Sequence, residues 1–99
     1  VGWCDIRPGE KTGFTHVGQL GIGVRREHRR QGLGRRLITR CLAHARQLDL
    51  EKVELTVFND NENAIRLYQS VGFEPEGCRK KARKLEGRYQ DIQLMGLHL

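Results

Sequence analysis

The run HVGQLGIGVRREHRRQGLGRRL, residues 16–37, limits the folds open to this chain more than any other stretch. Its first part alternates apolar and small residues, with Val17, Leu20, Ile22 and Val24 as the apolar members. That is the period of a strand. From Leu33 the period changes. Leu33, Leu37, Ile38, Cys41, Leu42, Ala45 and Leu48 share one helical face, and Arg35, Arg36, Arg40 and Arg46 mostly take the other. A strand that passes through a glycine turn into a helix predicts an α/β layer structure. The step from Val17 to Leu20 breaks the period of two and predicts a bulge near residues 18–21.

The other elements follow from the same signals. Residues 1–7 read as a strand, stopped by Pro8 and Gly9, and residues 8–15 as a hairpin connection. The helix from Leu33 runs to about Leu48. Residues 52–58 form a clean strand, with Val53, Leu55 and Val57 on one face and Glu54, Thr56 and Phe58 on the other. Asn61 is the best N-cap for a second helix over residues 61–71, and Gly72 is its expected stop. Residues 73–77 are short and extended, and residues 88–99 are a final strand. The basic stretch 79–84 connects them, with a turn at Glu86-Gly87. The order is β-β-α-β-α-β-β in a single domain, residues 1–99, around a mixed sheet with a hairpin at each end.

The glycine turn is also a chemical device. The first turn of a helix leaves backbone N–H groups without intrahelical partners, and the helix dipole adds positive charge there. Gly32 and Gly34 let the backbone come close to a bound anion, and the arginines add charge-assisted hydrogen bonds. A phosphate ligand fits such a place best. A P-loop would need Lys followed by Ser or Thr after the last glycine, where Arg35-Arg36 stand. A dinucleotide fingerprint would need a third glycine where Leu37 stands.

Charge supports a localised anion site. The net charge is +6, but residues 25–36 contribute +5 and residues 79–84 another +5, so the rest of the chain is mildly acidic. Two patches on an acidic body favour a discrete ligand over general polyanion affinity. A nucleic-acid module would interleave aromatics with its cations. None occurs in residues 25–36, and Tyr89 is the nearest to the second patch, so nucleic acid is not expected as a partner. No apolar run reaches the length of a membrane span. Cys4, Cys41 and Cys78 are odd in number and widely spaced, which fits a reduced, cytoplasmic protein, and Cys41 lies on the buried helical stripe. His16, His28, His44 and His98 show no zinc-ligand spacing, so no metal site is expected.

At Arg29 to Gly34, RRQGLG, the sequence resembles the GNAT superfamily of N-acetyltransferases, whose cofactor signature is Arg/Gln-x-x-Gly-x-Gly/Ala at a strand-to-helix junction. NENAIRLYQSVGF, residues 61–73, resembles the family's second signature of Asn, Ala, Leu-Tyr and Gly-Phe, in the right order. The resemblance covers nearly the whole chain, and its finer cast is that of bacterial enzymes acetylating amino acids or other small amines. It implies a mostly antiparallel sheet with two splayed parallel central strands and flanking helices. It also implies acetyl-CoA as co-substrate, a primary amine as acceptor, and pairing into a homodimer. A complete member carries one more strand and usually two helices before the segment matching Val1, so the acceptor side is expected to be short of a wall.

The resemblance assigns residues as follows. The main chains of Ile22 and Val24 are expected to bond the pantetheine arm. The amides of Arg29, Arg30, Gln31, Gly32, Leu33, Gly34 and Arg35 are expected to bind the pyrophosphate, with Arg25 or Arg30 reaching a phosphate. Asn61 is expected to contact the cofactor while capping its helix. Tyr68, which position alone reads as a core aromatic, is the expected general acid for the leaving thiolate. A backbone N–H within residues 20–22 is expected to stabilise the carbonyl oxygen. The first splayed strand offers Gln19 where many relatives have a base. Glu54, His16 and Asp5 remain open as candidates. The competing functions are N-terminal protein acetylation, a catalytically incomplete CoA-binding or dimerisation module and, most remotely, a nucleic-acid-binding module.

Overall fold

A computed structural model of the chain describes residues 2–24 and 31–99. Seven elements follow in the expected order: β1 (Gly2–Pro8), β2 (Val17–Val24), α1 (Gln31–Gln47), β3 (Lys52–Phe58), α2 (Glu62–Ser70), β4 (Glu74–Leu85) and β5 (Arg88–His98). The five strands form one sheet in the order β1-β2-β3-β5-β4. Only β2 and β3 run parallel; the other neighbours are antiparallel.

The helices cover one face of this sheet. Val53, Leu55 and Val57 of β3 point into it, as does Met95, which stands opposite Leu55 on β5. Ile38, Leu42 and Ala45 of α1, Tyr68 of α2, and Leu50 and Phe73 complete the cluster. Ile38, Val53 and Met95 are essentially sealed from water, and each such side chain contributes roughly 1.5–3 kcal/mol by burial. Arg35, Arg36, Arg40 and Arg46 are exposed, as the helical period requires. Leu48 is not part of the stripe: it lies beyond the helix end, 44% exposed, and Leu50 takes the buried place. The opposite face of the sheet is bare. Trp3, Asp5, Arg7, Gln19 and Thr56 lie exposed on it.

Three further expectations are corrected. The β1–β2 register runs without a break from Gly2↔Val24 to Pro8↔Gly18, so there is no bulge near residues 18–21. The inward series is Gly18, Leu20 and Ile22, and Val17 belongs to the other face. Gly18 fills an inward position without a side chain because Ile6 and Leu50 occupy its space. A Cβ there would stand 2.6 Å from Ile6 Cγ2 and 2.8 Å from Leu50 Cδ1. Second, α1 starts at Gln31, before Leu33, so both glycines lie inside its first turn. Third, the basic stretch is no connector. It forms the middle of β4, a strand exposed along its whole length and bulged at two places against β5.

The ends of the elements match their residues. Asn61 Oδ1 accepts the Ala64 N–H at 3.3 Å and caps α2. Glu86 and Gly87, with φ of 50° and 78°, make the tight turn between Leu85 and Arg88. Positive φ at both central residues suits a two-residue hairpin.

Candidate active site

The parallel pair β2–β3 is bonded only at Val17↔Lys52, Gly18↔Val53 and Gln19↔Glu54. Both strands then continue without pairing to each other. Residues 20–24 of β2 stay bonded to β1 on one edge only, and residues 55–58 of β3 stay bonded to β5. A wedge therefore opens within the sheet, with its apex at the Gln19–Glu54 rung. The free edge of β2 presents the backbone donors and acceptors of alternate residues to it. An extended chain with amide groups can satisfy them as an added strand would.

In the chain β2 is followed, after residues 25–30, which lie outside the described residues, by α1. The first-turn amides of a helix generally lack intrahelical partners, and no acidic residue stands in the first described turn of α1, Gln31 to Gly34. The two glycines differ. A Cβ on Gly34 would stand 2.9 Å from Leu67 Cδ2, so Gly34 lets α1 and α2 approach. A Cβ on Gly32 would meet no described atom within 4 Å. The space over Gly32 is what a phosphate beside these amides needs. Arg29 and Arg30, with Arg25, lie outside the described residues. Arg35 offers its amide to this turn, while its guanidinium donates to the Ser70 carbonyl at 3.1 Å. A cleft of about 280 Å³ opens beside it, lined by Arg35, Asn63, Arg66, Leu67 and Ser70.

Tyr68 is 8% exposed and packs edge-to-face on Phe73, with ring centroids 6.0 Å apart. Burial raises its phenol above the ordinary tyrosine value, and the Cys4 thiol pushes the same way. A tyrosine hydroxyl is already protonated at neutral pH, and this shift leaves it so. Cys4 stands opposite Ile22 in the β1–β2 register. Its own pKa is raised, first by burial and then by the Cys41 thiol, so Cys4 is held as a thiol in this packing.

The three candidate bases separate by position. The His16 carbonyl accepts from Glu51 and Lys52, which puts His16 at the closed end of the sheet, away from the wedge. Asp5 is opposite Gly21, on the bare face two rungs above the apex; a Cβ on Gly21 would stand 2.8 Å from its Oδ1. Glu54 is at the apex itself. Its Oε1 accepts from Gln19 Nε2 at 3.0 Å and its Oε2 from Lys52 Nζ at 3.0 Å. Lys52 also donates to Glu76 Oε1 at 2.9 Å. The Glu76 and Glu54 contacts, the former larger, raise the Lys52 pKa and keep it charged. Sequence reasoning had no means of finding Lys52 and Glu76, because a bulge and a glycine bring them together. Glu76 is the extra residue of the bulge between Pro75 and Gly77, and its carboxylate crosses Gly96 on β5 to reach β3.

Among the described residues, no group of three or more His, Cys, Asp or Glu side chains gathers as a metal site. Nor is any described helix long and apolar enough to cross a membrane.

The sequence pattern of the acetyltransferase (GNAT) family matches residues 1–73. An L-amino acid N-acetyltransferase of Escherichia coli is 33% identical over 96 residues, a match that covers 96% of this chain and 59% of that protein. The spermidine N(1)-acetyltransferase of Vibrio cholerae is 39% identical over 70 residues, 70% of this chain and 40% of that one. A Salmonella typhimurium acetyltransferase, solved with acetyl-CoA, superposes with a TM-score of 0.93 at 26% identity, covering 99% of this chain and 57% of that chain. The chain thus spans less than two thirds of the length of these relatives.

Proposed function

Because the chain belongs to the acetyltransferase (GNAT) family, we propose that it transfers the acetyl group of acetyl-CoA to a primary amine of a small molecule, such as an amino acid or polyamine, by direct attack with both substrates bound. The observation that most supports this is the wedge: parallel pairing stops at Gln19↔Glu54 while both strands run on, and α1 is the next element in the chain after β2. The pantetheine arm would lie along Ile22 and Val24. The pyrophosphate would meet the amides of Arg29, Arg30, Gln31, Gly32, Leu33, Gly34 and Arg35, and Asn61 would contact the same ligand from its cap. The cleft with Asn63 and Arg66 would take its distal end.

The thioester then sits near the apex, where an amide within residues 20–22 can bond the carbonyl oxygen as charge develops on it. Tyr68, protonated at neutral pH as an ordinary tyrosine is, would give its proton to the departing thiolate. The amine enters over the bare face, since the helices fill the other. That openness also leaves room for a peptide, so a protein N-terminus is the second acceptor to test. A homodimer and a cytoplasmic setting belong to this reading; three free thiols suit the latter.

Calorimetric titration tests it. Acetyl-CoA should bind the chain, and Gly32→Glu should abolish binding by placing a carboxylate on the pyrophosphate. No binding by the unaltered chain would sink the reading. Tyr68→Phe should bind acetyl-CoA normally and lose about 10²-fold in turnover. Binding without transfer to any amino acid, polyamine or peptide would leave a CoA-binding module.

A further inference from the structure

Beside the wedge, the outer surface of β2 carries a gap in its side chains. Gly21 follows Gln19 on the bare face, in the part of β2 that no longer pairs with β3. Two side chains of β1 use that gap. Trp3 and Asp5 stand opposite Gly23 and Gly21 in the β1–β2 register, and both lean over Gly21. A Cβ on Gly21 would stand 2.8 Å from Asp5 Oδ1, 3.2 Å from Trp3 Cζ3 and 3.6 Å from Trp3 Cη2. The six-membered ring of an indole and a carboxylate thus converge above one residue, on the face over which the acceptor enters.

An aromatic ring beside a carboxylate suits a positive charge. The carboxylate is its counter-ion, and the ring quadrupole adds attraction. Both groups are free to act. The indole is 56% exposed, and among the described residues no ion pair engages Asp5, Arg7 on the same face included. Elsewhere around the wedge the charges are already matched. Lys52 pairs with Glu54 and Glu76, and the Arg83 guanidinium covers the Phe58 ring at 4.1 Å from its centroid. A cation on the acceptor is therefore drawn toward β1.

Resting on the reading of the wedge as an acetyl-CoA site, we propose that Trp3 and Asp5 bind a second, non-reacting ammonium group of the acceptor. They select diamines over monoamines and over amines that carry a carboxylate. The reacting nitrogen meets the thioester at the free edge of β2, and the second charge lies on the opposite side of that strand. The two are separated by about 4.8 Å, one strand spacing, which three or four methylene groups span. In this role Asp5 takes no proton from the reacting amine.

Three acceptors test this. 1,4-Diaminobutane, pentylamine and 5-aminopentanoate present the same reacting amine and differ at the far end, which is ammonium, methyl or carboxylate. For the unaltered chain, kcat/KM should be about tenfold higher for the diamine than for pentylamine, and lowest for 5-aminopentanoate. Asp5→Asn should bind acetyl-CoA with an unchanged Kd, reduce the diamine preference to less than about threefold, and narrow the gap between pentylamine and 5-aminopentanoate. Trp3→Leu keeps apolar bulk and loses the ring face, so the preference should fall by about threefold; Trp3→Phe should retain most of it. Equal losses for the diamine and pentylamine in Asp5→Asn would mark a base or a structural role and overturn the proposal. So would a chain that uses pentylamine as well as the diamine, or a preference that survives both Asp5→Asn and Trp3→Leu. Acetyl-CoA binding without transfer to any of the three would overturn it too. Failure of the unaltered chain to bind acetyl-CoA is separately visible by calorimetry, and would remove the wedge reading on which the proposal rests.

Discussion

Gly32 and Gly34 stand two residues apart in one helical turn and are held by different forces. Gly34 is set by packing, since its missing Cβ is the space in which Leu67 lies. Gly32 has no described neighbour to accommodate, and glycine inside a helix is destabilising by roughly 0.5–1 kcal/mol relative to alanine. Gly32→Ala should therefore stabilise the chain, raising Tm by roughly 2–8 °C, while weakening acetyl-CoA binding at least tenfold. Gly34→Ala should give no such gain, because the helical benefit is spent displacing Leu67. Thermal unfolding and calorimetry on both variants check this, and a Gly32→Ala protein that binds acetyl-CoA undiminished would place the phosphate elsewhere. Sequence spacing finds both glycines and cannot tell them apart, since the distinction lies in a side chain of α2. Gly18 shows the same limit from the other side: its inward place is invisible to a count of apolar residues, and Ile6 and Leu50 decide it.

Elements with a buried face were legible in the sequence, because alternation or helical spacing records which side meets the core. β3 keeps its burial in strict alternation, and α1 its stripe at Ile38, Cys41, Leu42 and Ala45. β4 buries nothing, so its cations carry no period and it reads as a connector. Its course is fixed by local polar contacts instead. Lys81 has φ of 50° within the second bulge, its N–H donates to Asp91 Oδ1 at 2.9 Å, and Lys80 pairs with Asp91 at 3.5 Å. The Lys81 amide, first, and Lys80 hold the Asp91 carboxyl below the ordinary aspartate value. A depressed folded pKa means stabilisation that is present above the unfolded value, about 3.9, and is lost as pH falls through the folded one. The Lys81 amide should accordingly stay protected from hydrogen exchange at pH 6 and lose protection in acid, below the ordinary aspartate value. Asp91→Asn should show the low-pH behaviour at both. Equal protection in the two proteins at pH 6 would mean that the bulge is held by β4–β5 pairing alone.

The two basic patches make up most of the positive charge of the whole molecule, and they sit at different kinds of place. Of the first, Arg35 and Arg36 lie exposed in the opening turns of α1, and the other arginines lie outside the described residues. The second lies along β4, the outermost strand of the sheet. An exposed edge strand invites pairing with another chain, and lysines and bulges are common defences against that. β4 has both, and Lys81 and Lys84 lie over the Tyr89 ring at 5.0 and 5.2 Å from its centroid, shielding an aromatic that is 53% exposed. The patches should therefore respond to different measurements. Raising ionic strength from about 0.1 M to about 1 M shortens the screening length from ~10 Å to ~3 Å. Acetyl-CoA affinity should fall by about tenfold over that range, whereas S-acetylpantetheine, which lacks the phosphates, should show no such dependence. The double variant Arg79→Ser/Lys84→Ser should leave the acetyl-CoA affinity and its salt dependence unchanged. It should instead raise self-association, read by light scattering, because the edge has lost its charge. If the double variant halves the salt dependence while staying dispersed, β4 lies in the path of the anionic ligand and its charge is not edge protection.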